Sequence, residues 1–366
     1  MTADIKSFAC PQCGSKNVAF NPEHSNLKCP HCGWEDRIPQ RAEEVEEKSY
    51  EQYLQLAPDT LATLAPQALE ITCPSCGAIT TFAPPQVAGN CPFCGTHLQT
   101  KPQSATATLL PNGILPFGFD RKQGQQHIQK WLGGQWFAPN DLKKAAQPEG
   151  IQGVYLPYWT YDAYTISHYR GERGEDYYVT ETYTETNDDG KTEQKTRQVK
   201  KTRWYPASGK VQRTFDDVLI PATQSVDYQR LKQLEPWNYQ GILKSYEPAY
   251  LAGYKVERYQ TDLKAGFELA KQDMETVIRQ DVRGDIGGDD QRIHHLSTAY
   301  SAITFKHLLL PVWIFSYRYH GKTFQVVVNA RTGEVLGDHP LSVWKIILTT
   351  VITIAVVGIL IWWFNQ

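Results

Sequence analysis

Residues 153–171 read GVYLPYWTYDAYTISHYRG, and this stretch decides the architecture. It is aromatic and β-branched with glycine and proline punctuation, which suits a pleated sheet better than a helix. Tyr155, Tyr158, Trp159, Tyr161 and Tyr164 either pack on that sheet or form an aromatic ligand surface. Packing is the simpler expectation.

The chain that follows carries its charge in two blocks. Residues 172–189 hold seven acids and one base, and residues 191–213 hold eight bases and one acid. Asp189-Gly190 between them is a hairpin turn signal, so an acidic strand is expected to fold back on a basic one. A lone basic strand carrying Trp204 and Tyr205 would attract a phosphate backbone; an acidic neighbour largely neutralises it.

Downstream, Leu263, Phe267, Ala270, Met274, Val277 and Ile278 recur on one face of a helix. Residues 286–337 then read as a β-meander with turns at His320-Gly321 and Asn329 to Gly333. Asp285, Asp289, Asp290, His294 and His295 are the one catalytic-looking cluster. Acids beside two glycines more often mark a loop, and adjacent histidines on a regular strand point to opposite faces. The fold class is therefore α+β: a mixed, mainly antiparallel β domain with helices over residues 151–341. Two helices are expected before it in residues 102–150, the second beginning after Pro139 with Asn140 as its cap.

Further toward the N-terminus lie four near-identical pairs: Cys10-Pro-Gln-Cys13-Gly, Cys29-Pro-His-Cys32-Gly, Cys73-Pro-Ser-Cys76-Gly and Cys91-Pro-Phe-Cys94-Gly. Fifteen residues separate the first two pairs and fourteen the last two, close to the spacing of four-cysteine zinc sites. Each tight turn offers two thiolates, and two turns complete a tetrahedron. Gly14, Gly33, Gly77 and Gly95 follow the second cysteine, where positive φ lets the backbone wrap the sulfur. With NVAF (17–20) and ITTF (79–82) as short strands, residues 1–40 and 71–101 read as two zinc ribbons, joined by a helical linker over 41–70. Each holds one structural Zn2+, because four protein ligands leave no position for an activated water. His24, His31 and His97 lie nearby and are expected to be bystanders. Redox pairs, iron knuckles and disulfides are the alternatives; no βαβ pattern flanks a single pair, and disulfides need an oxidising compartment.

At the other end, Ile346 to Phe364 is nineteen residues without a charge, a helix of about 28 Å against a hydrocarbon core of about 30 Å. Its Ile, Val and Thr content disfavours a helix in water, but lipid leaves the backbone no other partner than itself. Trp344, Trp362 and Trp363 sit at interfacial positions. A transmembrane anchor is expected over 342–366. Lys345 and Arg331 precede it and no cation follows, so the N-terminal bulk is expected in the cytosol, at the inner face of the cell membrane.

A formal net charge of −2 and a pI near 6.6 provide no global attraction to nucleic acid. There is no N-terminal signal pattern and no Asn-x-Ser/Thr acceptor. The knuckles, together with GVYLPYWTYDA, YRGERG, FDDVLIPA, YLAGYKVERY, IGGDDQR, FKHLLLPVWIFSYRY and VVVNARTGEVLG, resemble a bacterial family of membrane-attached double zinc-ribbon proteins. Members are often labelled primosomal protein N′ or superfamily II helicase, and others neighbour membrane-stress proteins of the phage-shock and SPFH types. The resemblance implies a membrane recruiter and supplies no catalytic residues. A nucleotide-driven motor is not expected: Gly-Lys-Thr occurs at 190 and 321, but the phosphate loop's earlier glycine is replaced by Glu185 and Ser316, and no Asp-Glu dipeptide exists. The expected function is non-enzymatic, an adaptor that recruits a protein partner to the membrane; a membrane-tethered nucleic-acid binder is the alternative.

Overall fold

A computed structural model of the chain describes residues 9–15, 17–39, 45–55, 69–82, 89–98, 103–104, 109–140, 150–186 and 192–364. Its centre is a nine-stranded, mostly antiparallel sheet. The strands are β1 (Lys48–Ser49), β2 (Gly113–Ile114), β3 (Gln152–Thr186), β4 (Thr192–Pro221), β5 (Lys244–Ser245), β6 (Lys255–Val256), β7 (Asp290–Tyr319), β8 (Lys322–Asn329) and β9 (Val335–Gly337). The main path runs β4-β3-β7-β2-β5, with β1 and β8 also on β7, β6 on β3 and β9 on β8. The described residues also form five α-helices: α1 (Tyr50–Leu54), α2 (Arg121–Gly134), α3 (Tyr228–Gln233), α4 (Leu263–Ile286) and α5 (Val343–Phe364). The expected second connector helix after Pro139 falls mostly outside the described residues, as does the Asp189-Gly190 turn.

Three strands are far longer than the usual five or six residues. β3 has 35 residues, so its contour is roughly 115 Å at about 3.3 Å per residue. Its first half is buried among aromatic residues, while beyond Tyr169 most positions reach solvent. β3 pairs with β7 from Gln152↔Ile314 to Gly174↔Asp290, and with β4 from Tyr158↔Pro221 out to Thr186↔Thr192. Past Gly174 the sheet is a two-stranded arm. Acidic and basic strands face each other there, with Lys200–Asp176, Lys201–Glu181 and Lys195–Glu185 as ion pairs. The hairpin expected from the charge blocks is present.

At the base of the arm the three strands bend together. The register slips at Tyr161/Ala163 against β4 and at Asp162/Tyr164 against β7, while Asp217 and Ala302 take positive φ. Extra residues at one level of neighbouring strands bend and twist a sheet. Asp162 ties the bend, accepting from the Asp217 backbone N–H and from the Thr304 hydroxyl.

Helix α4 lies along one face of the three-stranded stretch below the arm. Asp262 caps it by accepting from Ala265 N, and Leu263, Phe267, Ala270, Met274, Ile278, Val282 and Ile286 make the buried stripe, with Val277 partly buried. Gly266 faces the sheet so closely that a Cβ would stand 2.5 Å from the Tyr161 hydroxyl oxygen. The meander follows, with the sharp turn at His320-Gly321 and the 329–333 turn closed by Gly333 N donating to Asn329 O. Tyr155, Tyr158, Trp159 and Tyr161 are fully buried core residues, and Tyr164 is partly buried. They pack; no aromatic ligand surface forms from them.

Helix α5 has the opposite character. It is 22 residues long and its most apolar 18-residue stretch has a mean hydropathy of 2.5, long and apolar enough to cross a membrane, and none of its residues is buried. The body grips only its start: Ser342 N donates to Phe137 O, and the Lys345 ammonium donates to Trp136 O, Ala138 O and Asn140 Oδ1. Arg331, expected to flank the helix, is instead drawn into the body toward Pro116 O.

Candidate metal centres

Each cysteine pair folds into the same small turn. Gly14, Gly33, Gly77 and Gly95 donate their N–H to the carbonyls of Cys10, Cys29, Cys73 and Cys91, and each first cysteine's N–H donates to the residue five further on. The four glycines hold φ between +71° and +76° with nothing within 4 Å of a would-be Cβ. They are required by backbone conformation, not by space.

Short hairpins bring the turns together in twos. In the first unit, strands Ala19–Asn21, Asn26–Lys28 and Glu35–Arg37 form an antiparallel sheet. In the second, Leu69–Thr72 pairs with Ile79–Phe82 and Gln103–Ser104, and Gly89–Asn90 pairs with His97–Leu98. The result is two clusters, Cys10, Cys13, Cys29, Cys32 and Cys73, Cys76, Cys91, Cys94, whose sulfurs lie within 4.8 Å of one another in each. The closest cross-turn contacts are Cys10–Cys32 at 3.4 Å, Cys13–Cys29 at 3.7 Å, Cys73–Cys94 at 3.6 Å and Cys76–Cys91 at 3.7 Å. A tetrahedron with metal–sulfur bonds of about 2.3 Å has edges near 3.8 Å. Disulfide sulfurs would stand about 2.05 Å apart, and all eight cysteines are free thiols. Both groups could hold a metal ion, the four-sulfur set suits zinc, and the pair fits a double zinc ribbon.

Local hydrogen bonds favour the thiolate form at two of these sulfurs. Cys91 is pulled down to about 5 by the hydrogen bond from Cys76 and, against burial, by the backbone N–H groups of Cys94 and Phe93. Cys29 is pulled down to about 6, chiefly by the Cys32 backbone N–H and then by that of His31. Cys76, hydrogen-bonded to Cys91 and partly buried, is pushed up. A bound dication would take the place of the retained protons. Of the nearby histidines, His31 and His24 stand beside Asn17 and Asn21 and belong to neither cluster.

Neither unit hangs free of the sheet. Phe20 N donates to Ala252 O, and the Phe20 ring packs edge-on against Tyr250 at 5.3 Å. Ile71, Cys73, Ala78, Cys91, Phe93 and Leu98 of the second unit share one core with Leu156, Tyr158, Leu310 and Ile314. Polar bonds fix the same interface: Arg258 pairs with Glu70, and Ser316 and Gln325 both donate to Phe93 O.

The Asp/His segment assembles no such centre among the described residues. Asp285 accepts from the Tyr169 hydroxyl, Asp289 from Asp176 N, and His294 stands beside Glu172 at 3.3 Å. The histidines do not point to opposite faces. A bulge pairs Arg170 with His295 and Gly171 with Ile293, leaving His294 as the extra residue. Ile293 and Leu296 both turn toward α4, and both histidines are exposed. A third group, the carboxylates of Glu47, Asp162 and Asp216, was not legible in the sequence. Lys306 sits beside it with its ammonium 2.9 Å from both Glu47 and Asp217. Burial lifts Asp162 to about 6.

The chain is 27% identical over 353 residues to the uncharacterized protein YdjG of Bacillus subtilis (strain 168), covering 93% of this chain and 92% of that one. No family model matches, so the primosomal label finds no support. No solved structure matches.

Proposed function

We propose that the chain is a membrane-anchored zinc-ribbon adaptor that recruits a protein partner to the cytosolic face of the cell membrane. Its eight cysteines hold two structural zinc ions, and α5 is the single span. The observation that carries this reading is the pairing of two closed four-sulfur clusters with a 22-residue apolar helix that none of the described residues buries. Closed sites stabilise a surface without offering a reactive position. A surface held at a bilayer raises a partner's local concentration without chemistry.

Two details refine the reading. Both four-cysteine units pack against the sheet, so their outer faces act as rigid docking surfaces and not as swinging modules. Trp136 and Phe137, exposed and next to the start of α5, add to Trp344 as interfacial aromatics. Sequence reading misses this pair, because the contact joins segments some two hundred residues apart. The ion pairs along the arm favour a protein partner over nucleic acid, since Lys195, Lys200 and Lys201 already face carboxylates.

The test is a pull-down of the intact protein from detergent-solubilised membranes, with and without a strong chelator. Partners that disappear with the metal support the reading; an identical set after verified zinc removal contradicts ribbon docking.

A further inference from the structure

The arm pairs many of its charges, and a stretch near its base does not. On the sheet face opposite α4, β3 presents His168 and Arg170, β4 presents Ser208 and Lys210, and β7 presents His295 and Ser297. The register places Arg170 between Ser208 and His295, and His168 between Lys210 and Ser297. Five of these six line an open cavity of about 570 Å³, and Lys210 is the register partner of His168, one of the five. The volume lies within the usual range for small-molecule sites.

The chemistry of this wall is one-sided. Among the described residues, none of the six side chains has a hydrogen-bond or ion-pair partner. The neighbouring cations differ: Arg213 is held by Asp281, and Arg292 by Glu172. Glu172, the next acid along this face, is already engaged by Arg292 and His294. Asp285 lies behind the sheet, bound to Tyr169. The bulge at His294 turns His295 outward and shapes the wall.

We propose that this cavity binds a phosphate group carried on a small molecule or lipid. A guanidinium, two imidazoles and two hydroxyls from three strands line one open hollow, which suits a tetrahedral dianion with several acceptor oxygens. A planar carboxylate has two oxygens and would leave donors unmet. The cavity is larger than a bare phosphate needs, so the group's carrier also enters. This site is independent of the metal centres and of the adaptor reading.

The test uses the full-length protein in phosphatidylcholine nanodiscs, titrated calorimetrically with phenyl phosphate and, for comparison, benzoate. Saturable one-to-one binding of phenyl phosphate is expected, with benzoate weaker by about tenfold or more. Arg170→Gln and Ser208→Asp each weaken binding by about tenfold or more, the second by placing a carboxylate in the wall. Lys195→Gln, on the paired part of the arm, leaves it unchanged. Unfolding temperatures confirm that the variants are folded, and Ser208→Asp carries the test if Arg170→Gln is not. Discs containing phosphatidic acid identify the source: competition points to a lipid headgroup, and its absence to a soluble phosphate. No saturable binding, equal binding of benzoate, or full binding by a folded Arg170→Gln or Ser208→Asp variant overturns the proposal.

Discussion

Gly77 and its three counterparts allow a separation of conformational from metal effects. An alanine there meets no neighbour but must hold a positive φ, at a cost of roughly 1–2 kcal/mol. Gly77→Ala is expected to lower the unfolding temperature while the metal content stays at the wild-type value, measured by calorimetry and elemental analysis. Cys91→Ser is expected to remove one ion per chain and to destabilise far more, because Cys91 is also part of the core beneath the second unit. Glu257 gives a different signal. It is about 1% exposed, accepts from the Thr223 and Ser225 hydroxyls, and is raised by burial to about 8. A carboxyl raised on folding contributes stability that is complete below its unfolded value near 4.5 and is lost as pH climbs through about 8. Glu257→Gln should abolish that slope and make the protein more stable than wild type above pH 8, by a few kcal/mol at most. Denaturant melts across pH decide it; parallel slopes in the two proteins contradict it. None of this was legible in the sequence, where Glu257 is one acid among many. The eight cysteines were legible because metal geometry dictates residue type and spacing together.

At the level of elements, the sequence marked the long hairpin, since opposite charge blocks around Asp-Gly admit few other arrangements. The bend at Asp162, Asp217 and Ala302 could not be read, because bulges depend on how three distant strands align. The same holds for His294 and His295, whose shared face comes from one unpaired residue that simple alternation does not anticipate. Past Gly174 the hairpin touches no other element in the pairing register. Replacing residues 177–200 by a short turn is therefore expected to shift the unfolding temperature by no more than about 2 °C and to leave the metal content unchanged. A large loss of stability would mean that the arm packs on the body.

For the whole molecule, the separation between base and arm organises the account. The metal units and the start of α5 sit with the buried half of the sheet, while β3 and β4 carry an exposed ladder far from it. Lipid is the natural cover for α5, so the protein is expected to stay with membranes through alkaline carbonate washing, and a chain ending at Leu341 is expected to be released. That two cysteine units would share cores with the sheet was hidden from sequence, because Phe20, Ile71 and Phe93 look like ordinary ribbon residues until their partners are seen.

Metal stoichiometry is the decisive check on the two cysteine centres. The intact protein, purified without added metal and analysed by plasma mass spectrometry against its amino-acid content, is expected to carry two zinc ions per chain. An absence of bound metal, or iron in place of zinc at both centres, would contradict the zinc assignment.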